Sequence, residues 1–304
     1  ETAILTYVNP NTEIQGNIAV KFRQNVAKPA KMLPGVKNII GVSSGKGGVG
    51  KSTVASNLAV ALAEQGYKVG LLDADIFGPS MPKMFGVEDE PVYMDEVDGR
   101  HLIAPVEKYG VKLLSIGFLV EKDNAVLWRG GMASNALKQL IGEANWGDLD
   151  YFVIDMPPGT SDIHLTLVQT LAITGAIVVT TPQEVALADA KKGISMFRSD
   201  KVNVPVLGIV ENMAWFTPAE HPDEKYYIFG NGGGKRLAEA LGVDTLAQIP
   251  LVAGICENGD KGVPAALNNT VSGEAFRNLA LKVVEAVNNR NEQLPPTQKV
   301  ELEH

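Results

Sequence analysis

The sequence predicts an α/β fold in which helices cover both faces of a mostly parallel β-sheet. Short apolar runs alternate with segments of helical periodicity from residue 36 onward, and this alternation is typical of parallel sheets. A glycine-rich octapeptide of the form G-x-x-x-x-G-K-S separates the first apolar run from the first helical segment. The chain of 304 residues is long enough for one large domain of this kind.

Apolar runs predict strands at residues 38–43, 69–72, 111–116, 151–154, 176–180 and 206–210. Helical periodicity predicts helices at residues 52–65, 132–144, 162–172, 184–198 and 273–289. In the first helix Val54, Leu58 and Leu62 recur at helical spacing, and Gly66 predicts its end. The last helix has one apolar face and few basic residues opposite it, which favours core packing over a membrane surface.

Residues 1–35 do not share this alternation. Residues 14–26 show only a loose strand pattern, and residues 27–35 have the Pro and Gly content of a linker. We therefore divide the chain into an N-terminal segment (1–35), an α/β domain (36–290) and a tail (291–304). The tail ends in Leu302-Glu303-His304, which resembles an affinity-tag junction. Glu1 begins no signal-peptide pattern, and we expect a start inside a longer protein.

Composition excludes several classes of function. The net charge of −8 and the pI near 5.1 disfavour a nucleic-acid binder, which usually carries a basic surface. No apolar run of about 18 residues is present, so we expect no membrane span. Cys256 is the single cysteine, which excludes an intrachain disulfide and predicts a cytoplasmic location.

The octapeptide at residues 45–52 predicts an ATP–Mg²⁺ site in a P-loop NTPase. Glycines let backbone N–H groups turn toward phosphates, and the next helix presents its positive N-terminal end to them. Lys51 is expected to contact the β- and γ-phosphates, and the Ser52 hydroxyl to bind Mg²⁺. The predicted nucleotide-binding residues are Gly45, Lys46, Gly47, Gly48, Val49, Gly50, Lys51, Ser52 and Thr53.

Lys46 and three carboxylates extend this site. Lys46 is either a solvated lysine or a second phosphate-binding lysine that reaches across a dimer interface. Asp155 ends an apolar strand, as a Walker B aspartate that holds the Mg²⁺ shell does, although a strand-terminal Asp can instead cap a helix. Asp73 and Asp75 follow the second strand, which ends at the same edge of a parallel sheet as the phosphate loop.

Four motifs resemble the Mrp (ApbC-like) ATPases, in the deviant Walker A class that contains MinD, ParA and the nitrogenase iron protein. They are GKGGVGKS at 45–52, DADIFGPS at 73–80, DMPPGTSD at 155–162 and ENM at 211–213. The resemblance covers residues 33–290, and residues 1–30 are similar to the end of a MIP18-like domain. It implies a slow ATPase that works as a homodimer in iron–sulfur cluster assembly or transfer to apoprotein clients.

The resemblance also implies individual roles. Asp75 would position or activate the attacking water, and Asp73 would support Mg²⁺ with Ser52 and Asp155. Gly159 would turn its N–H toward the γ-phosphate. Asn212 would read adenine, because its amide both donates and accepts hydrogen bonds. Lys46 would act in catalysis together with Lys51.

One departure from the family pattern concerns the cluster. Many Mrp-like ATPases carry Cys-x-x-Cys after the ENM block, where this chain has no cysteine. Thiolates are the usual ligands of such clusters, so Cys256 is the one thiolate available for a bridging cluster. Its alternative interpretation is a small buried hydrophobic residue in a loop after a strand end. His221 is expected to be solvated.

Three functions therefore remain open. The first is an ATPase that loads or transfers iron–sulfur clusters. The second is a positioning switch like MinD or ParA, which would need a basic membrane helix or a DNA-binding surface. The third is a nucleotide-gated chaperone without a cluster, whose clients would dock on an aromatic segment. The aromatic residues of that segment are Trp215, Phe216, Tyr226, Tyr227 and Phe229.

Overall fold

The computed structural model describes residues 32–119, 130–218, 220–221 and 224–300. The strand pattern predicted at 14–26, the MIP18-like resemblance of 1–30 and the affinity-tag junction at the other end lie outside these residues. No described helix is both long enough and apolar enough to cross a membrane.

Ten described strands follow one another as β1 (Val36–Ser44), β2 (Val69–Asp73), β3 (Met94–Val97), β4 (Arg100–Ile103), β5 (Val106–Lys108), β6 (Val111–Ser115), β7 (Leu149–Asp155), β8 (Gly175–Thr180), β9 (Val206–Glu211) and β10 (Thr245–Gln248). Eight of them form one sheet in the order β10-β9-β8-β1-β7-β2-β6-β5. All neighbours in this sheet are parallel except the edge pair β5 and β6. Strands β3 and β4 form a separate antiparallel pair.

The described α-helices are α1 (Lys51–Glu64), α2 (Met81–Met84), α3 (Gly130–Gly142), α4 (Asp162–Thr170), α5 (Glu184–Arg198), α6 (Gly233–Leu241), α7 (Ala253–Asp260) and α8 (Val271–Gln293). Short 3₁₀ turns occupy Ile116–Leu119 and Ala265–Leu267.

Two apolar layers lie on opposite faces of the sheet. Alternate strand residues point to opposite faces, so Leu71 belongs to the layer under α1 and α8, and Leu72 belongs to the layer under α3, α4 and α5. The apolar face predicted for the last helix is buried in the first layer, as expected for core packing. These two layers confirm the predicted fold class.

The predicted strands and helices are present, with ends that differ by up to two residues, except that the last helix, predicted to end at 289, continues to Gln293. The predicted strand at 111–116 ends at Ser115, because Ile116 begins a 3₁₀ turn. The α7 helix was not predicted, and the loop expected around Cys256 is wrong. This helix has eight residues and contains two glycines, which disfavour a helix, so its sequence gives little helix signal.

The register of the strands brings the chemically active residues to one edge of the sheet. Asp73 at the end of β2 pairs in register with Asp155 of β7 on one side and with Ser115 of β6 on the other. Ser44, the last residue of β1, leads directly into the phosphate loop at the same edge. Parallel pairing therefore assembles a site from residues that are far apart in sequence.

Candidate nucleotide-binding site

The loop between β1 and α1 has the backbone of a phosphate-binding loop. Gly48 and Gly50 adopt φ values of 81° and 82°, which residues with a Cβ rarely adopt. A Cβ at position 50 would lie 2.1 Å from Nδ2 of Asn212. That Nδ2 donates a hydrogen bond to the Val49 carbonyl at 2.9 Å. The residue predicted to read adenine therefore packs directly on the phosphate loop.

Lys51 and Ser52 begin α1 and meet the predicted carboxylates. The Lys51 Nζ donates to Oδ1 of Asp155 at 2.6 Å and lies 3.4 Å from Oδ2 of Asp75. The Ser52 hydroxyl donates to Oδ2 of Asp155 at 2.6 Å. Four residues from three motifs thus form one cluster of direct contacts.

Asp155 and Asp73 are fully buried carboxylates on adjacent strands. Burial raises the pKa of Asp155, while the Lys51 ammonium opposes that rise. Burial, followed by repulsion from Asp155, raises the pKa of Asp73 above its ordinary range. Because the two ionised carboxylates would repel each other, a further positive charge beside them would be favoured.

Both carboxylate oxygens of Asp73 accept hydrogen bonds from groups of the chain itself. Its Oδ1 accepts from the Asp75 N–H at 3.1 Å, and its Oδ2 accepts from Ser80 N–H and Met81 N–H, each at 3.1 Å. The Ser115 hydroxyl also donates to Oδ2 at 2.9 Å. Both oxygens are therefore engaged by the chain itself, and a magnesium role for Asp73 stays a prediction.

Two adjoining cavities lie over these residues. The smaller, of about 240 Å³, is lined by the phosphate loop, Asp75 and Pro158. The larger, of about 490 Å³, shares Gly50 and Thr53 with the smaller and extends past Asn212. Its far wall is formed by the segment that follows β10, by α7 and by the turn after α7. Its mostly apolar lining suits a planar base, and the loop suits phosphates. The wall residues are Met213, Pro250, Leu251, Val252, Ile255, Cys256, Gly259, Asp260, Pro264 and Ala265.

Two further predicted residues, Lys46 and Gly159, lie in or beside the phosphate cavity: Gly159 follows Pro158, which lines it. Lys46 is exposed on the loop and lines this cavity. The Gly159 N–H donates to the Ser44 carbonyl at 2.8 Å instead of facing the phosphate loop's interior. A turn of Gly159 toward a γ-phosphate would have to break this hydrogen bond.

Comparison with known proteins gives a consistent result. The family model ParA, described as the NUBPL iron-transfer P-loop NTPase, matches residues 35–285. The chain belongs to this family. It is 51% identical over 264 residues to the iron–sulfur cluster carrier protein of Aquifex aeolicus, and the match covers 86% of this chain and 71% of that protein.

Two solved structures share the fold of this chain. One is a nucleotide-binding protein from Archaeoglobus fulgidus in complex with ADP, with a TM-score of 0.66 and 39% identity over 76% of this chain and 88% of that chain. The other is the cell division ATPase MinD of Pyrococcus furiosus, with a TM-score of 0.56 and 25% identity over 82% of this chain and 98% of that chain. Both support the assignment to the P-loop NTPases of the MinD and ParA class.

The structure places the single cysteine, Cys256, on the surface of the described chain. Cys256 is exposed on α7, so its interpretation as a small buried hydrophobic residue is wrong. Its Sγ lies 3.8 Å from Oδ2 of Asp260 and lines the larger cavity. Within the described part of the chain, no group of three or more His, Cys, Asp or Glu side chains is arranged to hold a metal ion.

Sequence reasoning missed three side chains that support the site. Ser115 contacts Asp73, as described above. Glu211 is buried at the end of β9, where it accepts from the Gly234 N–H and from Nε2 of Gln248. His164 is buried beside Ser43 of β1. Ser115 and Glu211 could have been found, because both end strands at the edge that carries Asp73 and Asp155.

His164 links α4 to the strand before the phosphate loop. Its Nδ1 accepts from the Ser161 N–H at 3.2 Å, so its Nε2 carries the proton and faces Ser43 Oγ at 3.4 Å. Burial lowers the pKa of His164 to about 4 from 6.5. Between pH 4 and pH 6.5 the unfolded chain therefore binds more protons at this residue than the folded chain does. The unfolding free energy rises with pH through this window, and it is lost as pH falls from 6.5 toward 4.

We expect His164→Gln to reduce this acid sensitivity. Between pH 7 and pH 4 the unaltered chain should lose about 3 kcal/mol more unfolding free energy than the variant, since each pKa unit is worth about 1.4 kcal/mol. Denaturant unfolding at both pH values measures the difference. His101→Gln, at an exposed histidine of β4, is the matched control and should behave as the unaltered chain. Equal acid losses for His164→Gln and the unaltered chain would contradict the assignment.

Proposed function

We propose that this chain binds ATP–Mg²⁺ in the two adjoining cavities and hydrolyses the γ-phosphate slowly. The observation that carries the proposal is the convergence of Lys51, Ser52, Asp75 and Asp155 beside a phosphate loop. On nucleotide binding, the Lys51 ammonium would exchange part of its contact with Asp155 for the β- and γ-phosphate oxygens. The ADP bound by the Archaeoglobus fulgidus protein supports the same site.

The donor set fits Mg²⁺. Ser52 Oγ and Asp155 Oδ2 are hard oxygen donors 2.6 Å apart. Magnesium sites commonly use one or two such protein oxygens and complete their shell with phosphates and water. Magnesium supplies positive charge that neutralises the phosphates during transfer. Asp155 would hold this ion, and the Ser52 hydroxyl would turn its lone pairs toward it.

Asp75 is the residue we assign to the attacking water. Its carboxylate lines the phosphate cavity, and among the described residues Oδ1 accepts one hydrogen bond, from the Phe77 N–H at 3.3 Å. It therefore retains lone pairs that can accept a proton from water. Asn212 would hold the base with its side-chain carbonyl oxygen, because its Nδ2 donates to the loop.

We further propose that the ATPase acts in iron–sulfur cluster assembly or transfer to apoprotein clients. The support is the 51% identity to a protein named as an iron–sulfur cluster carrier. The cluster would be cargo, and this chain offers one thiolate for it, Cys256. A bridging cluster on two copies of Cys256 would need two further ligands from a client or a small thiol. Such a cluster would be labile. A cytoplasmic location stays a prediction.

An alternative is a nucleotide-gated partner-binding protein without a cluster. Tyr226, Tyr227 and Ile228 are 50%, 46% and 61% exposed. Phe216 pairs through its backbone with Tyr226 and with Leu251, a wall residue of the larger cavity. The exposed aromatic segment is thus joined to the proposed base site, which favours communication between a nucleotide and a docked client.

Anaerobic reconstitution separates the two functions. We expect little iron and sulfide on either the unaltered chain or Cys256→Ser after reconstitution and desalting, because one thiolate is a weak ligand set. Iron and sulfide counting and transfer to an apo-ferredoxin are the measurements. Loss of bound iron and sulfide in Cys256→Ser, with retention in the unaltered chain, would support the bridging cluster. Equal, stoichiometric binding by both proteins would exclude Cys256 as the ligand.

We propose that the protein works as a homodimer closed over the nucleotide, with Lys46 reaching the partner's phosphates. The exposed position of Lys46 at the cavity mouth supports this. Lys46→Ala should weaken the dimer formed with a non-hydrolysable ATP analogue and leave a folded monomer. Light scattering measures it, with Lys201→Ala, an exposed lysine after α5, as the control. If Lys46→Ala dimerises as tightly as the unaltered chain, Lys46 does not reach the partner's phosphates.

A further inference from the structure

The loop between β2 and α2 carries Asp75, and one buried carboxylate fixes both of its ends. Asp73 Oδ1 accepts from the Asp75 N–H near the start of the loop. Asp73 Oδ2 accepts from the N–H groups of Ser80 and Met81, where the loop enters α2. The position of Asp75 therefore depends on how the Asp73 side chain is held.

Ser115 holds Asp73 from the neighbouring strand. It is the last residue of β6, is fully buried and pairs in register with Asp73. Its hydroxyl oxygen accepts from the Gly117 N–H at 2.9 Å and donates to Asp73 Oδ2 at 2.9 Å. A hydroxyl has one proton, so acceptance from Gly117 directs that proton to the carboxylate. This is the one side-chain donor to Asp73 in the described part of the chain.

The chain packs closely around this hydroxyl. A Cβ at position 117 would lie 3.1 Å from Ser115 Oγ and 3.0 Å from the Cβ of Pro79, near the end of the Asp75 loop. The 3₁₀ turn at Ile116–Leu119 therefore lies against the loop and keeps the Gly117 N–H aimed at Ser115. The hydroxyl is oriented on two sides and has little freedom to serve another partner.

We propose that Ser115 is a positioning residue for ATP hydrolysis. Through Asp73 it orients residues 74–81 so that the Asp75 carboxylate faces Lys51, 3.4 Å from the Nζ. Ser115 does not line the phosphate cavity, so it acts through Asp73 and not on the nucleotide. This inference rests on the proposed ATPase function, because Asp75 is the group that it positions.

The test separates a positioning role from general stability. In Ser115→Ala we expect kcat for ATP to fall about tenfold or more with KM within about twofold, since small misplacements of a catalytic group slow chemistry strongly. Ser115→Thr keeps the hydroxyl and should recover most of the rate. Thr174→Val removes a buried hydroxyl at the opposite edge of the sheet, where it accepts from the Ile39 N–H, and should keep kcat unchanged.

Hydrogen exchange gives a readout that needs no hydrolysis. In Ser115→Ala the amides of Asp75, Ser80 and Met81 should exchange faster than in the unaltered chain, while those of β7 do not change. Should Ser115→Ala fail to fold, Ser115→Cys, whose thiol is a weak donor, carries the same expectations.

Each result has a defined meaning. Normal kcat and normal exchange in Ser115→Ala would overturn the inference, as would a Ser115→Thr variant as slow as Ser115→Ala. If the unaltered chain hydrolyses no ATP, the proposed ATPase function fails. Faster exchange in Ser115→Ala would then still establish that Ser115 holds the Asp75 loop.

Discussion

Replacement of Asp75 by asparagine should abolish ATP hydrolysis while ATP binding persists. The amide has nearly the same shape but cannot accept a proton from the attacking water. Loss of a general base commonly slows a reaction by about 10²–10⁴-fold. Single-turnover hydrolysis of radiolabelled ATP measures the rate, and a fluorescent nucleotide measures affinity.

The contacts of Asp75 also predict the sign of any change in affinity. Its Oδ2 lies 3.4 Å from the Lys51 Nζ and lines the cavity proposed for the phosphates. Removal of this negative charge lessens repulsion toward ATP, so binding should be equal or tighter. Asp162→Asn, at an exposed acid that begins α4, is the control. A normal rate in Asp75→Asn, or a loss in Asp162→Asn instead, would transfer the role away from Asp75.

Lys51→Ala should weaken nucleotide binding by about 10–150-fold, because a charge-assisted hydrogen bond is worth about 1.5–3 kcal/mol. The structure adds a second effect. Lys51 is buried and donates to Asp155 at 2.6 Å, so the variant leaves a buried carboxylate without its cation. Loss of one partner of a buried ion pair costs about 3–5 kcal/mol of unfolding free energy.

A second variant separates these two effects. In Lys51→Ala combined with Asp155→Asn, the buried charge is removed along with its partner, so stability should recover while ATP affinity, measured without Mg²⁺, stays low. Isothermal calorimetry and denaturant unfolding give both quantities. Unchanged affinity in folded Lys51→Ala would refute the phosphate site itself. Recovery of affinity in the double variant would mean that the loss came only from misfolding.

The sequence alone determined the fold class and the centre of the site. The glycines, Lys51 and Ser52 lie within one octapeptide between a strand and a helix, so local sequence specifies both their backbone and their chemistry. Asp155 and Asp75 were also predictable, because they follow apolar strands and parallel strands end at one edge. Their contacts with Lys51 confirm that they lie together, whereas their catalytic and metal roles remain predictions.

Only the tertiary structure decided which neighbours support these residues. Ser115 is 42 residues from Asp73 along the chain, and only the pairing of β2 with β6 places its hydroxyl 2.9 Å from that carboxylate. Cys256 was misjudged because α7 is short and contains two glycines, and its exposure depends on how the helix packs beside the larger cavity. Strand register and helix packing join residues that are distant in sequence, so local patterns carry no direct record of these contacts.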